Sequence, residues 1–263
     1  MGYFSSFKDK VKTAEGKSRI LHYVLVKRRH IKVIISKYRR DTRFRKKTRK
    51  ETFQDIYKNN RWGSAQFEYS SCDFFSGVGS YADELVNPYV SLVDELVSEK
   101  GVRKISDLGC GDFNIGRRIA PLVDEYIGCD IVPELIERNK IRFSNDRCRF
   151  VCLDIVDDDL PEADLCLIRE VFQHLSNKEL MQVLPKLAQY KYVLITGTIT
   201  ISEEGFNREI SHGGYHSVSL ENVPFCIKGT EMLRLEHPHS KGCVVVSTLY
   251  NHNQLCNSIS NMS

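Results

Sequence analysis

The sequence predicts an α/β fold: a mostly parallel sheet of seven strands with helices on both faces, a C-terminal antiparallel hairpin and an N-terminal helical extension. From residue 101 onward, short apolar runs alternate with segments whose apolar residues recur at helical spacing, as in parallel strands joined by helices. The last two runs are separated only by a turn-like segment, 237–242, which predicts the hairpin. The strands are expected at 103–108, 126–130, 148–153, 164–169, 191–197, 230–236 and 243–250.

Length and composition fit one core domain with additions. With 263 residues, of which 41% are hydrophobic, the chain can bury a single core of about 200 residues. We expect an N-terminal extension (1–50), a helical cap (51–100), the α/β domain (101–250) and a polar, frayed tail (251–263).

Charge distinguishes the extension from the rest of the chain. Residues 1–50 contain 18 lysines and arginines and 3 acids, whereas the remainder contains 20 bases and 31 acids, so the net charge of +4 conceals two regions of opposite sign. Ile20, Val24 and Ile31 belong to an apolar series at helical spacing with basic residues between its members. This pattern predicts a basic amphipathic helix.

Three kinds of partner fit such a helix. It could lie on an anionic membrane surface, where each basic residue contributes about 1 kcal/mol. It could pack on the acidic surface of the core or on a second subunit, or it could follow nucleic acid phosphates. The extension lacks the interleaved aromatic and basic residues of a single-strand nucleic-acid platform, so nucleic acid is the least favoured partner. The oligomeric state stays open.

The cysteines and the early apolar run indicate the cellular compartment of the protein. The nine cysteines include no Cys-x-x-Cys and no zinc-type spacing, and several lie inside apolar runs, which indicates buried, reduced thiols. The early run 20–26 contains His22 and is followed at once by Lys27, Arg28 and Arg29, so a signal peptide does not fit. We expect a cytoplasmic protein, with the extension allowing peripheral contact at the inner membrane surface.

The cap is predicted to contain two helices and a loop. A helix begins with Phe53 and is ended by Asn59, Asn60 and Gly63. A polar, glycine-bearing loop follows at 70–80, and the helix around residues 89–97 is terminated by Gly101.

A strand, a glycine turn and a helix form the central motif of the chain, at 102–116. The first strand carries Asp107, the turn carries Gly109 and Gly111, and Asp112 or Asn114 can cap a helix beginning at residue 115. Glycine lets a ligand approach the backbone N–H groups of such a turn, and the following helix favours polar or anionic ligand groups.

Two later acids strengthen this motif. Asp130 closes the second apolar run, where a nucleotide-binding fold places the carboxylate that holds ribose hydroxyls, and Asp154 closes the third. A Gly-x-Gly turn by itself is weak evidence, but these acids at consecutive strand ends make it specific.

These motifs resemble the class I S-adenosylmethionine-dependent methyltransferases, a Rossmann-like family. The resemblance covers about residues 53–250. It reaches a bacterial subgroup associated with surface-polysaccharide gene clusters through the segments 56–63, 76–80, 111–114, 126–136 and 169–176. Phe113, where many members have a third glycine, and Glu170, where the subgroup is expected to have aspartate, depart from the pattern.

The resemblance implies S-adenosylmethionine as cofactor and assigns the residues that hold it. Trp62 and the 76–80 loop are expected to close over the cofactor or the acceptor, although Trp62, the only tryptophan, equally suits a core anchor. The implied cofactor-binding residues are Asp107, Gly109, Cys110, Gly111, Asp130, Ile131, Asp154, Ile155, Arg169 and Trp62.

The candidate catalytic residues follow the fourth strand. Because the carboxyl ends of parallel strands share one edge, Asp107, Asp130, Asp154 and the residues after strand four should border one crevice. His174 has the pKa of a general base near neutral pH, Glu170 could orient it or act itself, and Arg169 could hold an anionic acceptor group. The structural alternatives are a histidine bonding at a helix start and an Arg169–Glu170 ion pair.

The stretch after the fifth strand is rich in glycine, histidine and tyrosine, which is typical of a functional loop. In the resembling family it lies over the acceptor, which makes Asn207, His212, Tyr215 and His216 acceptor-binding candidates. A metal site from the two histidines is not expected, because the glycines between them disfavour a helix and no nearby acids complete a ligand set.

The sequence thus predicts methyl transfer from S-adenosylmethionine to an oxygen of a small-molecule or glycan acceptor, namely a sugar, nucleotide-sugar or surface-glycan component, without a metal. The alternatives are an RNA-directed methyltransferase or nucleic-acid-binding protein that uses the basic extension, and a membrane-surface protein that acts on lipid-linked glycan.

Overall fold

The computed structural model describes residues 46–63, 73–201 and 205–260. The amphipathic helix predicted within residues 1–50 lies outside the described residues except at 46–50, and so does part of the predicted loop at 70–80.

One sheet forms the centre of the described part of the chain. Its strands are β1 (Lys104–Leu108), β2 (Glu125–Asp130), β3 (Cys148–Cys152), β4 (Leu165–Arg169), β5 (Tyr192–Thr200), β6 (Thr230–Glu236) and β7 (Cys243–Asn251). They follow the order β3-β2-β1-β4-β5-β7-β6. The first five strands are parallel and β7 runs antiparallel between β5 and β6, so the predicted α/β sheet with its C-terminal hairpin is confirmed.

Six α-helices are described. They are α1 (Arg49–Lys58), α2 (Asp83–Lys100), α3 (Gly116–Ile119), α4 (Pro133–Phe143), α5 (Asn177–Leu187) and α6 (His252–Ser260). Helix α1 begins earlier than predicted because Thr48 and Glu51 form a capping box. The predicted capping box of Ser176 and Glu179 opens α5, and left-handed Gly101 ends α2 as expected.

Helices cover both faces of the sheet. On one face, Tyr89, Leu92 and Val93 of α2 pack with Ile105 and Leu165 of the strands. On the other face, the apolar side of α5 and Leu255 of α6 pack with inward residues of β1, β4 and β5. Each fully buried aliphatic side chain contributes about 1.5–3 kcal/mol, so these two layers hold the sheet and fix the edge where its parallel strands end.

Two local predictions are wrong. Residues after Asn251 were expected to fray, but they form α6 because fully buried Leu255 anchors the helix on the core and Asn251 exchanges hydrogen bonds with Gln254. The helix after the glycine turn is only four residues long, and neither Asp112 nor Asn114 caps it. Within the described residues, no helix is both long and apolar enough to cross a membrane.

Candidate active site

The glycine turn after β1 has the backbone that its sequence predicts. Gly109 has φ +87° and Gly111 has φ +55°, in the region that favours glycine. The neighbouring protein atoms are also close: a Cβ on Gly109 would lie 2.3 Å from Cγ2 of Val171, and one on Gly111 would lie 2.5 Å from Oγ of Ser76. The packing of the turn therefore requires glycine at both positions.

Asp112 ties the glycine turn to the segment that precedes α2. Its carboxylate accepts hydrogen bonds from the backbone N–H of Ser76 at 3.0 Å and from the hydroxyl of Tyr81 at 2.8 Å. The hydroxyl of Ser76 in turn accepts from the backbone N–H of Asp112 at 2.9 Å. These donors explain why Asp112 does not cap α3, and they hold 76–80 beside the turn.

Helix α4 supports the same turn from below. The buried amide of Asn139 donates to the carbonyl of Gly111 at 2.8 Å, and Arg138 donates to the carbonyl of Asp112 at 2.8 Å. The sequence analysis missed both residues, since their helical spacing gives no sign that they reach a turn more than 20 positions earlier.

Asp130 lies at the end of β2 with both carboxylate oxygens engaged. It accepts from the N–H of Gly111 at 3.2 Å and from the N–H of Val132 at 3.1 Å. Burial raises the pKa of Asp130 to about 6, although the backbone donors oppose this shift. An acid held this way retains free lone pairs for ligand hydroxyls.

Asp107 and Asp154 occupy the neighbouring strand ends. Asp107 accepts a hydrogen bond from the hydroxyl of Tyr126, and burial raises its pKa to about 6. Asp154 accepts from the N–H of Val156 at 3.0 Å through one oxygen and from Nε of Arg49 at 2.8 Å through the other.

Arg49 connects α1 to this edge of the sheet. Besides Asp154, its guanidinium forms ion pairs with Glu179 at 3.0 Å and with Asp157. Glu179 also accepts from Nδ1 of His212 at 3.3 Å, and Nε2 of His212 bonds the carbonyl of Lys47 at 2.9 Å. Together these contacts fasten the start of α1 to the segment after β3 and to the first turn of α5.

A cavity of about 480 Å³ lies at the carboxyl ends of the central strands, where the strand order reverses between β1 and β4. It brings together every predicted cofactor-binding residue, all three catalytic candidates and one acceptor candidate. These residues are Asp107, Gly109, Cys110, Gly111, Asp130, Ile131, Asp154, Ile155, Arg169, Trp62, Glu170, His174 and Tyr215.

Aromatic rings form one wall of the cavity. Trp62 is half-buried and packs edge-on against Tyr57, with ring centroids 4.9 Å apart, and its centroid lies 5.6 Å from that of His174. Phe53 of α1 lies 6.4 Å from Trp62. Trp62 therefore borders the cavity and anchors the cap at the same time.

His174 has a defined tautomer. Its Nδ1 lies 2.8 Å from the carbonyl of Gly214, and because a carbonyl only accepts, Nδ1 carries the proton and Nε2 carries the lone pair. Burial among these rings lowers the pKa of His174, which keeps the ring neutral at pH 7. A neutral imidazole with a free Nε2 lone pair can act as a general base.

Arg169 and Glu170 do not form the ion pair considered as an alternative. Within the described residues no ion pair joins them: Arg169 donates to the carbonyl of Gly79 at 2.8 Å and lies over the ring of Tyr89. Glu170 accepts from Gln173 and, at 3.0 Å, from the hydroxyl of Thr198. Glu170 also has φ +58°, a costly conformation for a non-glycine residue that is commonest at functional sites.

Of the four acceptor candidates, only Tyr215 borders the cavity. Asn207 is buried and its amide donates to carbonyls of its own loop, including that of Ser219 at 2.8 Å. His212 is held by Glu179, and buried His216 bonds the carbonyl of Leu175 at 2.9 Å. These three residues therefore do not border the cavity: Asn207 bonds its own loop, whereas His212 and His216 bond neighbouring segments. Their expected contact with the acceptor stays a prediction.

The cavity also contains residues that the sequence analysis did not select. Thr198 and Thr200 of β5 face it, and so do His237, Ser240 and Cys243 from the β6–β7 turn. The available signal was the His-Pro-His sequence of that turn, which the sequence analysis treated only as a hairpin connection.

Comparisons with known proteins agree with this geometry. Residues 105–190 match a family of sequences described as "Methyltransferase domain". This stretch of the chain is therefore similar to a methyltransferase domain. The described cradle fits S-adenosylmethionine, with the close glycine turn at the end of β1 and the Asp130 carboxylate at the end of β2.

Solved structures share the fold at low sequence identity. A SAM-dependent methyltransferase from Leishmania major superposes with a TM-score of 0.52 at 15% identity, covering 66% of this chain and 76% of that one. A 1,6-didemethyltoxoflavin-N1-methyltransferase from Burkholderia thailandensis gives 0.51 at 14%, covering 77% and 87%. The N-methyltransferase NodS from Bradyrhizobium japonicum, in complex with S-adenosylhomocysteine, gives 0.50 at 14%, covering 74% and 97%. No curated protein sequence matches the chain.

Proposed function

We propose that this methyltransferase methylates an oxygen of a sugar, nucleotide-sugar or surface-glycan component, as in the polysaccharide-associated subgroup that its motifs resemble. The observation that carries the proposal is the neutral His174 with its Nε2 lone pair on the cavity wall. A hydroxyl must lose its proton to become an effective nucleophile, and this imidazole is a base suited to that step.

The cofactor residues have distinct proposed tasks. Asp130 accepts hydrogen bonds from the ribose hydroxyls, the 109–111 turn lets the cofactor approach the backbone, and Asp154 with Ile155 borders the adenine. Cys110, Ile131 and the Trp62 wall exclude water, while Asp107 and Arg169 lie toward the methionine part. When bound, S-adenosylmethionine supplies the methyl group on its sulfonium.

The acceptor residues complete the proposed reaction. Nε2 of His174 takes the proton of the acceptor hydroxyl as the new oxygen–carbon bond forms, and Nδ1–H stays bonded to Gly214. Arg169 and Glu170 hold polar groups of the acceptor, and the ring of Tyr215 covers an apolar face. Alignment of hydroxyl and methyl supplies most of the acceleration in such a displacement.

Kinetics of a His174 variant test this function. In His174→Gln, release of S-adenosylhomocysteine from S-adenosylmethionine and UDP-glucose should fall by about 10²- to 10⁴-fold. The dissociation constant of S-adenosylhomocysteine should stay within about twofold of wild type, since the cofactor cradle is untouched. His252→Gln is the matched control, because His252 is exposed at the start of α6. Full activity of the His174 variant would remove this residue from the mechanism.

The basic extension supports a second proposal, that it brings the enzyme to a charged partner. Eighteen lysines and arginines within residues 1–50 suit an anionic membrane surface that carries lipid-linked glycan, and RNA is the alternative. Flotation with vesicles containing anionic lipid, compared for the full chain and a chain lacking residues 1–45, tests the membrane partner. Binding to RNA with a steep salt dependence, without flotation, would favour an RNA-directed enzyme.

We place the enzyme in the cytoplasm. The proposal is supported by the described cysteines, which are all free thiols and of which Cys129, Cys148 and Cys166 are buried in the core. Buried thiols of this kind are typical of proteins from reducing compartments. Cell fractionation with a tagged full-length chain tests the location.

A further inference from the structure

The turn between β6 and β7 brings a second histidine to the cavity. His237 begins this turn, and its backbone N–H bonds the carbonyl of Cys243 at 2.9 Å, which closes the hairpin. Its half-buried side chain borders the cavity together with Ser240 and Cys243. No step of the proposed reaction has used this residue.

The turn also fixes which ring nitrogen of His237 carries the proton. The backbone N–H of His239 donates to Nδ1 of His237 at 3.2 Å. A backbone N–H can only donate, so Nδ1 holds the lone pair and the proton of the neutral ring is on Nε2. Among the described residues, no hydrogen bond engages Nε2 of His237.

His174 has the opposite arrangement. Its Nδ1 donates to the carbonyl of Gly214, so its Nε2 accepts. One cavity therefore contains two neutral imidazoles with opposite hydrogen-bonding roles at Nε2: that of His174 accepts, and that of His237 donates.

The surroundings keep His237 in this neutral form. Burial lowers its pKa, and the neighbouring charges of His239 and Arg169 act in the same direction, while the Glu170 carboxylate opposes them. Glu170 also acts on the pKa values of His174 and Tyr215, so these groups share one electrostatic environment at the acceptor end of the cavity.

We propose that His237 positions the acceptor, donating a hydrogen bond from Nε2–H to an acceptor oxygen adjacent to the hydroxyl that loses its proton to His174. This inference rests on the proposed O-methylation. It narrows the substrate class to acceptors that present a reactive hydroxyl beside a second hydrogen-bond-accepting oxygen, as vicinal hydroxyls of a pyranose ring do. A lone phenol or a primary amine lacks that second oxygen.

Nitrogen NMR of the complex with S-adenosylhomocysteine tests the tautomers first. Long-range ¹H–¹⁵N correlation spectra of histidine-labelled protein, assigned with the variants His237→Phe and His174→Gln, should show protonated Nε2 in His237 and protonated Nδ1 in His174. Addition of UDP-glucose should shift the Nε2 resonance of His237. A protonated Nδ1 in His237, or a bound probe that leaves His237 unshifted, would overturn the assignment.

Steady-state kinetics separate positioning from folding. His237→Phe keeps a ring but loses the donor, so the KM for UDP-glucose should rise about three- to tenfold, the loss expected for one hydrogen bond. The dissociation constant of S-adenosylhomocysteine should not change. His237→Gln presents an amide donor near the position of Nε2 and should recover most of the loss, while Lys241→Ala, exposed in the same turn, should match wild type.

The outcomes distinguish the two proposals. If wild type turns over UDP-glucose and the KM of His237→Phe is unchanged, only the role of His237 is wrong. If wild type binds S-adenosylhomocysteine but UDP-glucose neither reacts nor shifts either histidine, the proposed acceptor class fails, and the role of His237 fails with it.

Discussion

Replacing Arg49 with methionine tests whether the contacts at the start of α1 hold the cavity wall. Methionine keeps the unbranched side chain but removes the guanidinium, which pairs with Asp154 at 2.8 Å and with Glu179 at 3.0 Å. Phe53 and Tyr57 of the same helix border the cavity, so loosening α1 should also weaken cofactor binding.

The structure sets the expected magnitude. Removing one partner of a fully buried ion pair costs about 3–5 kcal/mol, whereas an exposed pair contributes at most about 1 kcal/mol. The side chain of Arg49 is 16% exposed and that of Glu179 is 9% exposed, so the pairs are close to the buried limit but still in contact with solvent. We expect the free energy of unfolding to fall by about 2–3 kcal/mol, which lowers the melting temperature by about 5–10 °C for a domain of this size.

Thermal and urea denaturation, each with and without S-adenosylhomocysteine, measure this loss. Arg103→Met is the matched control because the pair of Arg103 with Asp124 is exposed at both ends, and it should melt like wild type. If Arg49→Met melts within about 1 °C of wild type, the contacts of Arg49 contribute nothing to the fold and the argument for a fastened cap is wrong.

Three further predictions follow from the same geometry. In Gly109→Ala, the new Cβ would lie 2.3 Å from Cγ2 of Val171, and alanine would have to adopt φ +87°. The free energy of unfolding from urea titrations should therefore fall by about 1–3 kcal/mol. Unchanged cofactor binding and stability would contradict the close packing of the turn. The pKa of Glu179 is lowered to about 2, so the stability that Glu179 contributes is lost as pH falls from about 4.3 toward 2. The pKa of His212 is raised, so the stability that His212 contributes is lost as pH rises above about 6.5 through its folded pKa. In melting curves across pH, His212→Gln should lack the loss of stability on the alkaline side. Because burial lowers the pKa of His174, kcat/KM should fall only at pH values below about 6.5, where the base becomes protonated, and a pH profile without an acidic limb would argue against this base.

The sheet could be predicted because its signal is local. Each parallel strand buried on both faces is a short apolar run, and the acids Asp107, Asp130 and Asp154 mark the ends of three runs. Because these strands share one direction, their ends meet at one edge of the sheet, so the proposed cofactor side of the cavity follows from the order of the chain. Helix-capping boxes such as that of Ser176 and Glu179 were predictable for the same reason, since both partners lie within one helical turn.

The acceptor side could not be predicted in the same way. Loop residues do not follow a fixed periodicity, so spacing does not predict where the side chains of Asn207, His212 and His216 point. Asn207 bonds its own loop, and the two histidines bond carbonyls of other segments. Contacts such as that of Arg49 with Asp154 join residues 105 positions apart, and no local sequence pattern at either residue predicts them. The carboxylate of Asp112 bonds Ser76 instead of capping the helix after the glycine turn, which is another distant contact.

Calorimetric titration of S-adenosylhomocysteine and S-adenosylmethionine into the purified full chain tests the central claim most directly, at pH 7.5 and without divalent metal. We predict micromolar binding to wild type, and weakening by about 10- to 100-fold in Asp130→Asn, because charge-assisted hydrogen bonds to the ribose are lost while the fold is retained in circular dichroism. Asp124→Asn, exposed before β2, should bind like wild type. Wild type that binds neither compound, or a folded Asp130→Asn variant that binds as tightly as wild type, would contradict the assignment of this cavity as the cofactor site.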